Sequence, residues 1–380
     1  MRTPEIFDPI RPYDPEELPA AYDKLLADEG FRAVVAYLYP QVPIEAIAAK
    51  MRQCGTNLEF QKAFCYGFLQ QLLDKASKGC DMDVSAIDVS ARYTFVSNHR
   101  DIVLDSALLD KLLIDCGFTT TCEIAIGDNL LSLPWVRDLV RINKSFIVER
   151  SLPPRQMLLA SKRLSDYMHY AVGEKQENVW IAQREGRAKD SDDRTQPAIL
   201  KMMAMGGEGS VVDRLKQLHI VPLSISYEFD PCDFLKAKEL QQRRDTDHFQ
   251  KAPGDDVRSM QTGIMGYKGR IHYHCAPCID SYLDTLADVP KNDVFDLVAQ
   301  HIDMEIHRHY RLFPSNLVAL DLLEGSHHEG AYSEEERNFF LRYIDGQLAK
   351  IDLEHPDIDF LRERMLTMYA NPARNHFLAV

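Results

Sequence analysis

The sequence of 380 residues has little of what marks membrane-spanning, secreted or nucleic-acid-binding proteins. A membrane span needs about 20 apolar residues. The best candidate, Ala33 to Ile44, is shorter and is interrupted by Pro40, Gln41 and Pro43. Basic residues number 44 against 58 acidic ones, so we expect no general nucleic-acid binding. The N-terminus lacks the apolar core of a signal peptide, and the eight cysteines are scattered. We therefore expect reduced thiols and a cytoplasmic protein.

The residue pattern divides the chain into three regions. Residues 1–85 carry helical signals, among them the capping-box spacing of Thr56 and Glu59. Residues 86–290 alternate helical stretches with short apolar runs, at Tyr93–Val96, Ser145–Val148, Val179–Ala182, His219–Tyr227 and Arg270–Cys275. Residues 291–380 return to a helical texture. This pattern predicts an α/β domain, with a mostly parallel sheet flanked by helices, between N-terminal and C-terminal helical regions.

The stretch SNHRDIVLDS, Ser97 to Ser106, could carry acid–base chemistry. His99 can accept a proton near neutral pH, and a neighbouring carboxylate can fix its tautomer and stabilise its cation. We expect Asp105 to be that partner and the N-cap of a helix, with Asp101 as the competing partner. A capped helix beside a surface histidine is the simpler interpretation of such a pair taken alone.

A local excess of positive charge follows in an otherwise acidic protein. Residues 137–190 contain eleven Lys or Arg and seven Asp or Glu, a net charge of +4 against −14 for the chain. Such a segment favours an anionic ligand or surface. Arg150 and Arg187 both follow strand-like runs, so they could converge on a phosphate. For any single one of these cations, a solvated helix face is the simpler interpretation.

The stretch HYHCAPC, His272 to Cys278, contains one CxxC pair and two histidines. These residue types can bind zinc, but both histidines would have to act from alternate positions of one strand. A strand that runs into a turn is the simpler interpretation, so we expect no metal. A metal-dependent enzyme at this stretch is a rival hypothesis.

Taken in order, five stretches resemble the glycerol-3-phosphate and lysophosphatidic-acid acyltransferase superfamily. SNHRDIVLDS is similar to its N/P-H-x4-D block, SFIVERS to its strand ending in arginine, VWIAQREGRAK to its E-G-x-x-R block, and HIVPLSISYE to its V/I-P-V-x-I strand. GRIHYHCAPCID resembles the late strand of the family. Two departures stand out. Leu104 occupies the position of the usual aspartate, and Gln183-Arg184 replaces the common Phe-Pro.

The resemblance implies transfer of a fatty acyl group from an acyl thioester, acyl-ACP or acyl-CoA, to a lipid-precursor hydroxyl. It implies His99 as general base oriented by Asp105, and no cofactor. It also implies an acceptor-binding group, which comprises Arg150, Glu185, Gly186, Arg187 and Lys189. The acceptor would be glycerol-3-phosphate or its 1-acyl form, used in membrane phospholipid synthesis. The partners would be acyl carrier protein or a CoA thioester, together with the cytoplasmic membrane face, bound peripherally.

Two alternatives remain open. One keeps the chemistry but makes the acceptor an acylated amino acid, so that the product is an aminolipid. The altered third block leaves the identity of the acceptor open. The other is a lipid-binding or acyl-carrier-binding protein that catalyses nothing.

Overall fold

Seven strands form one sheet in the computed structural model, which describes residues 2–150, 152–252 and 254–380. They are β1 (Cys80–Asp83), β2 (Thr94–Ser97), β3 (Cys122–Gly127), β4 (Ser145–Val148), β5 (Asn178–Ala182), β6 (Ile220–Tyr227) and β7 (Ile271–Cys275). Their spatial order is β1-β7-β6-β2-β5-β3-β4. Strands β2 to β6 are mutually parallel, whereas β7 runs antiparallel to β6 and β1 runs parallel to β7. The predicted mostly parallel sheet is confirmed.

Helices surround this sheet. In the first region they are α1 (Leu18–Ala27), α2 (Glu29–Leu38), α3 (Ile44–Gln53), α4 (Asn57–Phe60) and α5 (Tyr66–Ala76). Between strands lie α6 (Leu104–Asp115), α7 (Pro134–Ile142), α8 (Pro154–Gly173), α9 (Pro197–Met203), α10 (Val211–Lys216), α11 (Asp233–Asp245) and α12 (Asp255–Met265). After β7 come α13 (Asp280–Asp284), α14 (Lys291–Arg308), α15 (Pro314–Glu324), α16 (Glu334–Leu348) and α17 (Ile358–Ala379).

Each of the five apolar runs forms a strand, but the sequence analysis missed β1 and β3. β1 lies within residues 1–85, which we expected to be helical. Its sequence, CDMD, is polar because it forms the half-exposed edge of the sheet, where one side faces solvent. β3, CEIAIG, is buried over its first half but carries a glutamate there, so it lacks the apolar run of the other strands.

The two faces of the sheet have separate hydrophobic cores. Successive strand residues point to opposite faces, so Phe95 packs with α5 and α6, whereas Val96 packs with α8 to α10 and α14. The latter core also includes Phe7 from the N-terminal region and Ile306 from α14. Two smaller cores join α1 to α4 with α7, and α15 to α17 with α11. The domain limits at 85 and 290 stay a prediction, because these cores extend across both positions.

One partly buried carboxylate joins the C-terminal region to the polar loop that follows β5. Asp303, on α14, accepts hydrogen bonds from the backbone N–H and the hydroxyl of Thr195, at 2.7 and 2.6 Å. Burial raises the pKa of Asp303 to about 6. The folded chain therefore binds a proton at Asp303 over a pH range in which the unfolded chain has already released it.

The raised pKa of Asp303 predicts how the stability of the Asp303→Asn variant changes with pH relative to that of the natural protein. Asparagine retains the acceptor oxygen but does not titrate. The stability that the natural protein gains from its bound proton is complete below pH 3.8 and is lost as the pH rises through about 6. As the pH rises from 4 to 7, the free energy of unfolding of the variant should therefore increase by about 2 kcal/mol relative to that of the natural protein. Urea unfolding at both pH values measures this difference, and identical pH dependence of the two proteins would contradict it.

Candidate active site

His99 lies in the loop between β2 and α6, at the carboxyl end of a central parallel strand. Its Nδ1 is 2.8 Å from Oδ2 of Asp105, and the Asp105 side chain is fully buried. The same oxygen accepts hydrogen bonds from the backbone N–H groups of Arg100 and Asp101, at 2.6 and 3.0 Å. Because a carboxylate only accepts, the proton lies on Nδ1 and the lone pair of Nε2 remains available. We call residues 98–105 the His99 loop.

Asp101 does not pair with His99. Its Oδ1 accepts hydrogen bonds from the backbone N–H groups of Val103 and Leu104, at 2.9 and 2.8 Å, and so caps the start of α6. Burial raises the pKa of Asp101, and the nearby charge of Asp105 raises it further. The expectation that Asp105 would be the N-cap is therefore wrong. Asp105 lies in the first turn of α6, and its side chain reaches back to His99 and to the N–H groups of Arg100 and Asp101.

Asn98 holds the His99 loop against β6. Its side-chain amide donates to the carbonyl of Ile225 at 2.9 Å and accepts from the N–H of Ile225 at 2.8 Å. It thus continues the pairing of β2 with β6 beyond the last strand residue. Trp180, on β5, places its ring edge-on to His99, with centroids 5.8 Å apart. The sequence analysis did not single out Trp180, because nothing in a strand pattern marks one apolar residue as a neighbour of a site.

Buried charges from distant segments secure Arg100, the residue after His99. Its guanidinium pairs with Asp193 at 2.8 Å, and Tyr310 donates to the same carboxylate oxygen at 2.5 Å. The ammonium of Lys236 donates to the carbonyl of Arg100 at 3.1 Å and pairs with Asp230. The sequence analysis missed these residues because their positions are not local to the motif.

The predicted acceptor-binding residues form two groups of contacts. Arg150 and Glu185 are joined by an ion pair of 3.4 Å, and both are partly exposed. Gly186 has φ of +67°, a left-handed conformation that favours glycine. Thus the turn after Glu185 depends on a residue without a side chain.

The second group is more buried. Arg187 is 8% exposed, and its Nη1 has no hydrogen-bond partner among the described residues. Its positive charge opposes the rise in the pKa of Asp101 that burial causes. Lys189 pairs with Glu239 of α11 at 2.7 Å. Burial lowers the pKa of Lys189 to about 8, and the charge of Arg187 adds to this effect.

An apolar cavity of about 340 Å³ opens beside the His99 loop. Val103 and Leu104 of the loop form part of its wall, and helices α2 to α7 supply most of the remainder. Other apolar lining residues include Val34, Leu38, Phe60, Phe64, Phe68, Leu69, Ala107 and Leu139. The volume lies within the range of small-molecule sites, and such a lining suits a hydrocarbon chain.

The HYHCAPC stretch does not form a zinc site from its four candidate ligands. Cys275, the last residue of β7, is fully buried in the hydrophobic core. His272 and His274 point to the opposite face of the strand, where they pair with Asp81 and Asp83 at 2.6 and 3.6 Å.

No helix in the described parts of the chain combines the length and apolar character needed to cross a bilayer.

Comparison with known protein families finds a match for the central part of the chain. A family model described as Acyltransferase matches residues 83–226, a segment that begins at the end of β1 and ends within β6. The matched segment is therefore an acyltransferase domain. This match agrees with the resemblance of its motifs to the glycerol-3-phosphate and lysophosphatidic-acid acyltransferase superfamily.

A search of curated proteins finds no match. Among solved structures, the chain is similar to the crystal structure of the 1-acyl-sn-glycerophosphate (LPA) acyltransferase PlsC from Thermotoga maritima. The identity is 12%, the TM-score is 0.37, and the alignment covers 74% of this chain and 95% of the other.

Removing the Asn98 side chain should destabilise the protein. Asn98→Ala leaves the buried N–H and C=O of Ile225 without their partners, so the free energy of unfolding should fall by about 2–4 kcal/mol. Thr94→Val, on the strand that Asn98 follows, is a matched control, because the Thr94 hydroxyl is buried and has no partner among the described residues. It should change stability by less than about 1 kcal/mol. Urea unfolding compares the two, and equal losses would refute the role given to Asn98.

Proposed function

We propose that the protein is an O-acyltransferase that uses His99 as its general base. The donor is a fatty acyl thioester, on acyl carrier protein or coenzyme A. The acceptor is a hydroxyl of glycerol-3-phosphate or 1-acyl-glycerol-3-phosphate, and the product is a precursor of membrane phospholipids. The observation that carries this proposal is the contact of His99 with the buried carboxylate of Asp105, at a strand end inside the segment that matches the acyltransferase family.

The reaction follows from the chemistry of this pair. Nε2 of His99 removes the proton from the acceptor hydroxyl as its oxygen attacks the thioester carbonyl. Asp105 stabilises the imidazolium that forms. The tetrahedral intermediate then collapses with cleavage of the C–S bond, and His99 returns the proton to the departing thiolate. The scheme forms no acyl-enzyme and needs no cofactor.

The backbone N–H groups of the His99 loop do not stabilise the oxyanion, because four of them already have hydrogen-bond acceptors. Those of Arg100 and Asp101 are bonded to Asp105, and those of Val103 and Leu104 are bonded to Asp101. These four groups instead hold the two carboxylates in place. The role therefore falls to another donor.

The acceptor head group would bind the cations beyond β4 and β5. The free Nη1 of Arg187 offers a buried donor for a phosphate or carboxylate oxygen, and guanidinium suits either anion. Lys189 and Arg150 would add positive charge, and Glu185 and Gly186 would shape the turn that carries Arg187. An acylated amino acid also presents a carboxylate, so it remains a candidate acceptor.

The apolar cavity is where the acyl chain of the donor would lie. Its wall at Val103 and Leu104 is continuous with the His99 loop, which would place the thioester carbonyl near the base. Val34 and Leu38, which also line the cavity, are about 40% exposed, so its mouth is apolar too. We infer that this side of the protein rests on the cytoplasmic membrane face.

A product assay tests the proposed reaction. The purified protein is incubated with acyl-CoA and acyl-ACP donors and with glycerol-3-phosphate, its 1-acyl form and an acylated amino acid, and lipids are identified by mass spectrometry. His99→Ala should lower the rate of product formation by about 10²–10⁴. His272→Ala is a matched control, because that histidine also pairs with an aspartate at 2.6 Å but lies on β7, away from the His99 loop. Absence of product from the natural protein, or equal rates for the natural protein and His99→Ala, would refute the catalytic assignment.

Filling the cavity should change the chain-length preference. Ala107→Phe places a ring in the cavity, so kcat/KM for a long-chain thioester should fall about tenfold more than for a short-chain one. Ala46→Phe makes the same change on an exposed surface of α3 outside the cavity and should leave the preference unchanged. Steady-state kinetics with two donor lengths measures the ratio. A uniform loss for both donors would argue against this site for the acyl chain.

A further inference from the structure

A second group of reactive side chains lies at the opposite end of the strands from the His99 loop. His219 immediately precedes β6, and Cys278 and Asp280 follow β7. Because β6 and β7 are antiparallel, the start of one meets the end of the other. The N–H of Ile279 donates to the carbonyl of Ile220 at 2.9 Å, which holds the two connections together.

We propose that His219, Cys278 and Asp280 form a zinc-binding site. One potential ligand atom from each residue lies within 4.8 Å of those of the other two. A tetrahedral zinc ion with bonds of about 2.0–2.3 Å holds its ligand atoms roughly 3.3–3.8 Å apart, so small side-chain rotations would complete the set. Imidazole, thiolate and carboxylate are the three ligand types that protein zinc sites use. A thiolate also favours zinc over magnesium or calcium.

Two further observations support a ligand at this position. Nδ1 of His219 is 2.6 Å from Oδ2 of Asp280, but the buried Oδ1 of Asp280 has no hydrogen-bond partner within the described residues. His219 also has φ of +45°, a left-handed conformation that is unfavourable for a residue with a side chain. Strained backbone of this kind is concentrated at functional sites.

The surroundings admit an ion from solvent. The side chain of His219 is half exposed, and a water molecule can supply the fourth ligand. The neighbouring cation, Lys216, is paired with Asp284 and so is partly neutralised.

The bound ion would stabilise the start of β2. The carbonyl of His219 accepts a hydrogen bond from the N–H of Thr94, the first residue of β2, at 3.2 Å. Zinc would therefore join the segments before β6 and after β7 to the strand that carries His99 at its other end. The proposed site departs from the expectation of no metal, and it shares only Cys278 with the CxxC motif.

Calorimetric titration of metal-free, tag-free protein with zinc chloride tests this inference independently of acyl transfer. The natural protein should bind one zinc ion and show a higher Tm in its presence. Cys278→Ser and His219→Gln should each weaken binding by at least about tenfold. His272→Gln, which removes a histidine of the HYHCAPC stretch instead, should bind like the natural protein.

Cobalt provides a second readout that does not depend on stability. A thiolate-to-cobalt charge-transfer band should appear with the natural protein and be absent with Cys278→Ser. Asp280→Asn, which is nearly isosteric, serves as a variant that should fold and still bind more weakly. No stoichiometric binding by the natural protein, or equal affinity of Cys278→Ser and the natural protein, would overturn the proposal.

Discussion

The buried carboxylate of Asp105 is the interaction on which the site depends. One of its oxygens accepts from the ring of His99 and from two backbone N–H groups, so a single atom fixes the histidine and the loop around it. Hydrogen bonds to a carboxylate are short and strong, and these three offset part of the cost of burying it, since its other oxygen has no partner among the described residues. The orientation of His99 is therefore built into the folded loop before any substrate is present.

Periodicity and motif order were enough to predict a mostly parallel sheet, five of its seven strands and a carboxylate partner for His99. Five strands are marked by apolar runs, because strands buried on both faces have few polar residues. β1 escaped prediction because edge strands tolerate polar residues, and β3 because Glu123 interrupts it. That buried glutamate is compensated by Lys175, a partner 52 positions away that no local pattern reveals.

The remainder of the site could not be predicted, because it is assembled from tertiary contacts. Asp101 and Asp105 are equally plausible partners by spacing, and only the geometry of the loop assigns one to the helix cap and the other to the histidine. Trp180, Lys236 and Tyr310 approach the loop from separate elements. The apolar cavity is likewise formed by helices that each show only an ordinary amphipathic pattern. Such residues acquire their roles from the fold.

The contact of Arg100 with Asp193 and Tyr310 has a consequence for how this enzyme could be dissected or could have diverged. Tyr310 lies more than 80 positions beyond the last residue of the segment that matches the acyltransferase family. A fragment trimmed to that segment would keep both members of the histidine–aspartate pair. It would lose a phenol that restrains the residue between them. The C-terminal region thus restrains the loop that carries His99, although no residue of that region belongs to the sequence motifs.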